Sequence, residues 1–151
     1  MKDLTLLKEF IVEAKQNSYA GKSKQIASSK PDSKDYTFKK YDYYYLDSHI
    51  GRQKFIGQEI IWKEEESFWG MNYVGKLLTN DIPHGFNQFL TNALSLVNQD
   101  APYRGPKSFR ASDFEYQCSW SGEVDSFKGE EIVSYKGIAI FKLDFHGGTL
   151  N

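Results

Sequence analysis

The apolar residues of this chain recur at helical spacing in two segments. Near the N-terminus the stripe follows the i, i+3, i+4, i+7 spacing of one helix face, and it consists of Leu7, Phe10, Ile11 and Ala14. Between about Gly85 and Asn98 a second stripe consists of Phe86, Phe89, Leu90, Ala93 and Val97. The pattern predicts two amphipathic helices, the first ending near Gly21.

Elsewhere apolar residues alternate with a period of two, which is typical of strands. The predicted strands lie at about Tyr36–Asp47, Phe55–Lys63, Phe68–Leu77, Phe114–Trp120, Phe127–Tyr135 and Ile138–His146. We interpret residues 22–35 and 101–106 as irregular, because they are rich in turn-forming and polar residues. The expected fold is a single α+β domain over residues 1–151. Its curved, mostly antiparallel sheet of about six strands packs against two helices, in the order α-β-β-β-α-β-β-β.

Composition narrows the class of protein. Lysine plus arginine total 19 against 20 acidic residues, a net charge of −1, which lacks the cationic excess of a dedicated nucleic-acid binder. Apolar runs are too short for a membrane span, and the N-terminus lacks the long apolar stretch of a signal peptide. We therefore expect a cytoplasmic protein with neither membrane nor nucleic acid as a partner. Aromatic residues are frequent, at 16% of the chain.

Cofactor and metal chemistry find little support in the sequence. Cys118 is the single cysteine, so it forms no internal disulfide and no cysteine-based zinc site. His49 and His84 show no metal-ligand spacing with His146, and the chain has no phosphate loop, dinucleotide fingerprint or nucleophile elbow. We expect neither a metal nor a cofactor, and we interpret Cys118 as an inert buried thiol.

Several short motifs together resemble an uncharacterised bacterial family, known as a domain of unknown function. They are Ser18-Tyr19-Ala20-Gly21, Tyr44-Tyr45-Leu46-Asp47-Ser48, Phe55-Ile56-Gly57-Gln58-Glu59, Trp69-Gly70-Met71-Asn72-Tyr73, Tyr103-Arg104-Gly105-Pro106 and Phe145-His146-Gly147-Gly148. The resemblance extends over nearly the full length. In some members of that family the domain stands alone, and in others it follows an Xre-type helix-turn-helix. The resemblance implies no reaction, but it makes a sensory function plausible.

The end of the last predicted strand is the first candidate site. Asp144 and His146 share one strand face, and their side chains start roughly 7 Å apart. A carboxylate can tune a nearby imidazole for general-base chemistry, and the following Gly147-Gly148 pair admits a ligand or another backbone at close range. The alternative is a structural histidine at a strand end, followed by a glycine turn.

Two further candidates are charged residues with apolar neighbours. Glu59 lies on a strand whose two faces are both apolar, a setting found for functional carboxylates. Its alternatives are exposure at a sheet edge or an ion pair with an arginine: Arg52, Arg104 or Arg110. Arg104 has a planar fork suited to a carboxylate or phosphate, and Tyr103 beside it can stack on a ligand. The alternative for this segment is a rigid loop whose arginine pairs with an acidic residue of the sheet.

The surplus of tyrosine and tryptophan suggests a pocket. Pockets are mostly apolar with a few polar groups, and the predicted lining is Tyr45, Trp69, Tyr73 and Trp120, with Glu59, Arg104 and His146 as polar anchors. The alternative is that these aromatic residues form the core. Our preferred hypothesis is a non-catalytic domain that binds an unknown small molecule or acts as a sensor. An enzyme that uses His146 with Glu59 or Asp144, and a homodimeric interaction module, are the two alternatives.

Overall fold

The computed structural model describes residues 4–19 and 24–151. In these residues it contains two helices and nine strands. In chain order they are α1 (Thr5–Tyr19), β1 (Lys24–Ile26), β2 (Lys34–Lys40), β3 (Tyr43–Gly51), β4 (Lys54–Lys63), β5 (Glu66–Leu77), α2 (Phe86–Leu94), β6 (Ser108–Ala111), β7 (Phe114–Glu123), β8 (Ser126–Tyr135) and β9 (Ile138–Thr149). Gly21, the predicted end of the first helix, lies outside the described residues.

All nine strands of the described ranges pair antiparallel in one sheet, in the order β1-β2-β3-β4-β5-β9-β8-β7-β6. Strands β1–β5 follow one another as a meander, and β6–β9 form a second meander that returns so that β9 pairs with β5. The segment between β5 and β6 contains α2 and the loop with Tyr103 and Arg104. Because it links the middle of the sheet to one edge, this segment lies across one face of the sheet.

The prediction of a six-stranded sheet in the order α-β-β-β-α-β-β-β is wrong: the order is α-β-β-β-β-β-α-β-β-β-β. The predicted strand over Tyr36–Asp47 is two strands, because the chain reverses at Tyr41-Asp42, where Tyr41 adopts a left-handed φ of 57°. Tyr36 and Phe38 therefore share a face with Asp47 and Tyr45, their register partners, and not with Tyr44. The short edge strands β1 and β6 lie within or just after segments predicted to be irregular.

The predicted helices and several predicted strands are confirmed. The stripe of α1 is buried, as are Phe86, Phe89 and Ala93 of α2. The second helix begins after Gly85, whose φ is 91°, and ends at Leu94, four residues before the predicted end at about Asn98. Strand β9 continues past His146 through Gly147 and Gly148 to Thr149, because both glycines pair with β5 on one side and β8 on the other.

We call the sheet face that packs against α1 and α2 the inner face, and the opposite face the outer face. On the inner face, aromatic side chains lie across glycines of the neighbouring strand. Tyr73 is the register partner of Gly57, and a Cβ added to Gly57 would lie 2.0 Å from the Tyr73 ring. Phe145 has the same relation to Gly129, at 2.4 Å. Each glycine leaves the space that the opposite ring fills, which fixes the ring over the neighbouring strand.

Candidate functional site

The structure divides the nine predicted site residues between the two faces of the sheet. Six of them are buried on the inner side of the sheet: Tyr45, Glu59, Trp69, Tyr73, Tyr103 and Arg104. Trp120 is half-buried, with its ring edge-on to the ring of Tyr103 at 6.2 Å between centroids. Asp144 and His146 are exposed on the outer face. Glu59 and His146 therefore do not meet, although the sequence analysis paired them in one hypothetical acid–base site.

A buried ion pair joins α1 to the sheet. Lys15 Nζ lies 3.1 Å from Glu59 Oε1 and 3.2 Å from Oε2, and both side chains are almost fully buried. The Lys15 ammonium also donates to the backbone oxygen of Tyr103, and the Tyr45 hydroxyl donates to Glu59 Oε1 at 2.5 Å. Burial lowers the pKa of Lys15, and the adjacent Glu59 carboxylate opposes this shift. The partner of Glu59 is therefore a lysine, and none of the three predicted arginines.

Arg104 forms a second buried ion pair, between the loop and β8. Its Nε and Nη2 atoms donate to the two carboxylate oxygens of Glu131, at 3.0 and 2.8 Å. The Tyr116 hydroxyl also donates to Glu131, and it accepts a hydrogen bond from the Gly105 amide at 2.8 Å. Burial, together with the Glu131 charge, raises the pKa of Tyr116 well above its ordinary value. Arg104 therefore pairs with an acidic residue of the sheet, which was the structural alternative given for this loop in the sequence analysis.

Asp47 adds a third acidic group to this region. The Tyr73 hydroxyl crosses β4 above Gly57 and donates to Asp47 Oδ1 at 2.6 Å. Burial, reinforced by the negative charge of Glu59, raises the pKa of Asp47 to about 7, although the Tyr73 hydrogen bond acts in the opposite direction. Asp47 is half-buried. Its ionisation therefore changes within the physiological pH range.

We call these groups the inner polar cluster: Lys15, Tyr45, Asp47, Glu59, Tyr73, Arg104, Tyr116 and Glu131. The Arg104 guanidinium connects its two halves, since its carbon lies 5.8 Å from the centre of the Tyr73 ring. Sequence reasoning missed four members, although a signal existed for each of them. Tyr116 shares a strand face with the inward residues Phe114 and Cys118 of β7. Lys15 continues the spacing of Leu7 and Ile11 along the buried face of α1, and Asp47 and Glu131 alternate with the inward residues of β3 and β8.

The other predicted aromatic residues pack against one another. The Trp69 indole stacks on Phe127 with 5.7 Å between ring centroids, and its Nε1 donates to the backbone oxygen of Val124 at 3.0 Å. Tyr103 stacks on the same Phe127 ring at 4.1 Å. Burial raises the pKa of Tyr103 to about 12. Through these contacts Trp69 and Tyr103 pack as core residues. This was the alternative to a ligand pocket in the sequence analysis.

The outer face has an open groove of about 760 Å³ that includes His146. Four exposed polar residues lie in register across four neighbouring strands and border it: Gln58, Asn72, His146 and Lys128. Gln58 Nε2 donates to Asn72 Oδ1 at 2.8 Å, and Asn72 Nδ2 lies 3.4 Å from His146 Nε2. We call this set the outer polar row.

Two directly paired glycines, Gly70 and Gly148, lie beside the outer polar row and also line the groove. The space above Gly70 is taken up by the ends of the Ile60 and Leu150 side chains, and the space above Gly148 by the Asp125 backbone. The groove therefore combines hydrogen-bonding side chains with a small apolar surface. Within the described residues, no group of three or more His, Cys, Asp or Glu side chains is arranged to hold a metal ion.

Comparison with known proteins places the chain in a family. A family model described as a domain of unknown function, DUF5680, matches residues 47–150, which leaves out the Ser18–Gly21 motif of the resemblance. Ala20 and Gly21 of that motif also lie outside the described residues. No curated protein and no solved structure matches the chain. No helix in the described part of the chain is long and apolar enough to cross a membrane. Because the matched segment is well over half of the sequence, the chain belongs to the DUF5680 family of domains of unknown function.

Proposed function

We propose that this protein is a non-catalytic ligand-binding domain that holds a polar small molecule in the outer groove. The observation that carries the proposal is the outer polar row, in which four exposed polar side chains align in register along the groove. The volume of the groove, about 760 Å³, lies within the range of about 300–1,000 Å³ that is typical of small-molecule sites.

The chemistry of the row supports a ligand with both donors and acceptors. Gln58, Asn72 and His146 each offer a donor and an acceptor, and Lys128 offers a cation. Exposed amide groups of this kind hydrogen-bond to a ligand at little desolvation cost, so they contribute more to specificity than to affinity. Asp144, two residues before His146 on the same face, lies outside the groove lining and beside its histidine end.

The proposal is non-catalytic because His146 faces Asn72 and Lys128 as its cross-strand neighbours. Neither residue is a carboxylate that would orient the ring as a general base. A sensory use is supported by the resemblance to a bacterial family in which the domain follows an Xre-type helix-turn-helix in some members. In a cytoplasmic protein of this kind, occupancy of the groove would be read out by a DNA-binding partner.

Native mass spectrometry of freshly purified protein, compared with its denatured mass, is the first test. A mass lost on denaturation would support a retained ligand and would identify it by mass. If the protein is apo, two-dimensional NMR against a set of polar metabolites finds weaker ligands through shifts of the Asn72 and Gln58 side-chain amides.

Matched glutamine variants then locate the ligand. Gln58→Ala is expected to weaken binding about tenfold, the loss of roughly one or two hydrogen bonds, whereas Gln117→Ala, at an exposed outer-face glutamine outside the groove, is expected to change nothing. Equal affinity in both variants, or a metabolite set that shifts neither amide, would show that the groove is not the site. A dimeric native mass without ligand would favour the interaction module.

A further inference from the structure

Three lysines oppose one another directly at the opposite end of the outer face from the β4–β5 hairpin. Lys54 of β4 pairs in register with Lys76 of β5, which pairs in turn with Lys142 of β9. Directly opposed residues have Cβ atoms about 4.5–5.5 Å apart, and like charges at this distance destabilise a sheet. We call these three residues the lysine row.

The lysine row is only partly neutralised. Lys142 Nζ lies 3.6 Å from Glu130 Oε2. In the part of the chain that the structure describes, Lys54 and Lys76 form no ion pair. Their repulsion is therefore uncompensated within these residues, and an anion placed over Lys76 would lie between its two lysine neighbours.

The next register row along the same strands is apolar. Ile50, Ile56 and Val74 are paired across β3, β4 and β5, and Ile56 and Val74 remain 59% and 56% exposed. We call these three residues the apolar patch. A pocket of about 430 Å³ includes both the lysine row and the apolar patch. Single exposed apolar residues are ordinary, but here two exposed ones adjoin the half-buried Ile50 in one pocket, as apolar residues do in binding sites.

We propose that this pocket binds a free amphipathic anion, an alkyl chain that carries a carboxylate or phosphate group. The anionic group lies over the lysine row, and the chain lies across Val74, Ile56 and Ile50. Charge complementarity sets the orientation, because Asp144 also lines the pocket and is the register partner of Val74, so a negative group placed over the apolar patch would be repelled.

The carboxylates of Asp144 and its register partner Glu130 favour a single molecule over an anionic membrane. A membrane surface would contact the sheet over many residues, and it would press its negative headgroups against Asp144 and Glu130 as well as against the lysines. One bound molecule can place its anionic group over Lys54 and Lys76, at the side of the pocket away from Asp144. This site is separate from the outer polar row and does not depend on the function proposed for the groove.

Dodecanoate, used below the concentration at which it forms micelles, is the probe. We expect it to shift the methyl NMR signals of Ile50, Ile56 and Val74, whereas acetate and uncharged dodecanol bind at least tenfold more weakly. The double variant Lys54→Gln/Lys76→Gln should weaken dodecanoate binding about tenfold or more, the value expected for lost charge-assisted hydrogen bonds. The matched control Lys24→Gln, at an exposed lysine of the edge strand β1, should bind with the wild-type affinity.

Several results would overturn the proposal. Equal affinity of the double variant and Lys24→Gln would remove the lysine row from the site. Shifts confined to the Gln58 and Asn72 amides would place dodecanoate in the outer groove. Binding to phosphatidylglycerol vesicles without binding to monomeric dodecanoate would make this face a membrane-docking surface. Light scattering that shows a dimer whose formation buries the Ile56 and Val74 methyls would assign the pocket to a second copy.

Discussion

Replacing Lys15 by methionine tests whether the inner polar cluster holds the fold together. Methionine keeps most of the length of the buried side chain but removes its charge, which faces both oxygens of Glu59. Lys15 and Glu59 are only 1% and 3% exposed, so water cannot replace the lost ammonium. Among the described residues, the variant leaves a buried carboxylate whose remaining donor is the Tyr45 hydroxyl, and it also removes a donor from the Tyr103 carbonyl.

The expected loss is large compared with the stability of such a protein. Removing one partner of a buried ion pair costs about 3–5 kcal/mol, against a total free energy of unfolding of about 5–15 kcal/mol. With a urea m-value of about 2 kcal/mol/M, Lys15→Met should lower the urea midpoint by about 2 M. The control Lys142→Met breaks the half-exposed pair with Glu130 and should lower the midpoint by less than about 0.5 M.

Urea unfolding followed by tryptophan fluorescence measures both midpoints, because Trp69 is fully buried on the inner face. The single variant Glu59→Gln and the double variant Lys15→Met/Glu59→Gln complete the cycle. Glutamine can still accept the Tyr45 hydrogen bond but carries no charge, so the double variant should recover about half of the loss, as a coupled pair requires. If Lys15→Met were no worse than Lys142→Met, or if the two changes were additive, the ion pair would not be structural.

Two further predictions concern the same face of the sheet. The pKa of Asp47 is raised to about 7, so between pH 4 and 7 the native state keeps a proton that the unfolded state releases, and stability falls as the pH rises. The free energies of unfolding from urea titrations at pH 5 and pH 8 should differ by about 1–2 kcal/mol, discounted for partial exposure. Asp47→Asn should abolish this slope, so an unchanged slope in that variant would contradict the assignment. Gly57→Ala forces a Cβ to within 2.0 Å of the Tyr73 ring and should cost about 1–3 kcal/mol. A Cβ added to Gly70 would come closest to the flexible end of the Ile60 side chain, so Gly70→Ala should cost less than Gly57→Ala. Equal losses of stability in the two variants would mean that the Tyr73 ring moves freely.

Alternation predicted the central strands well because their two faces differ in a regular way. In β5, Trp69, Met71 and Tyr73 are buried, whereas Asn72 and Val74 are exposed, as the pattern indicated. The turn at Tyr41-Asp42 was missed because Tyr41 is an aromatic residue in a left-handed conformation, and Asp42 was the one turn-forming residue within a run of tyrosines typical of a strand. Gly147 and Gly148 were predicted to follow the end of a strand, but they continue β9, which is paired on both sides at these positions.

The side-chain pairings of the inner polar cluster could not be predicted from the sequence pattern. Burial of Glu59 on a two-sided apolar strand could be anticipated, but its partner Lys15 is 44 residues away on a helix. Arg104 and Glu131 are separated by 27 residues. Pairings over such distances follow from how α1 and the loop cross the sheet, and a single sequence carries no periodic signal for that crossing.

The contacts of the inner polar cluster indicate that the two faces of the sheet have different roles. Lys15 joins α1 to β4 and to the loop, while Arg104 joins the same loop to β8. A buried polar network is fully satisfied only when every member is in place, so these bonds select one position of the loop over the core. The outer polar row has no contact with this network, since its side chains leave the same strands in the opposite direction. A change in the cluster should therefore lower the free energy of unfolding without altering affinity in the outer groove, and a change in the row should do the reverse.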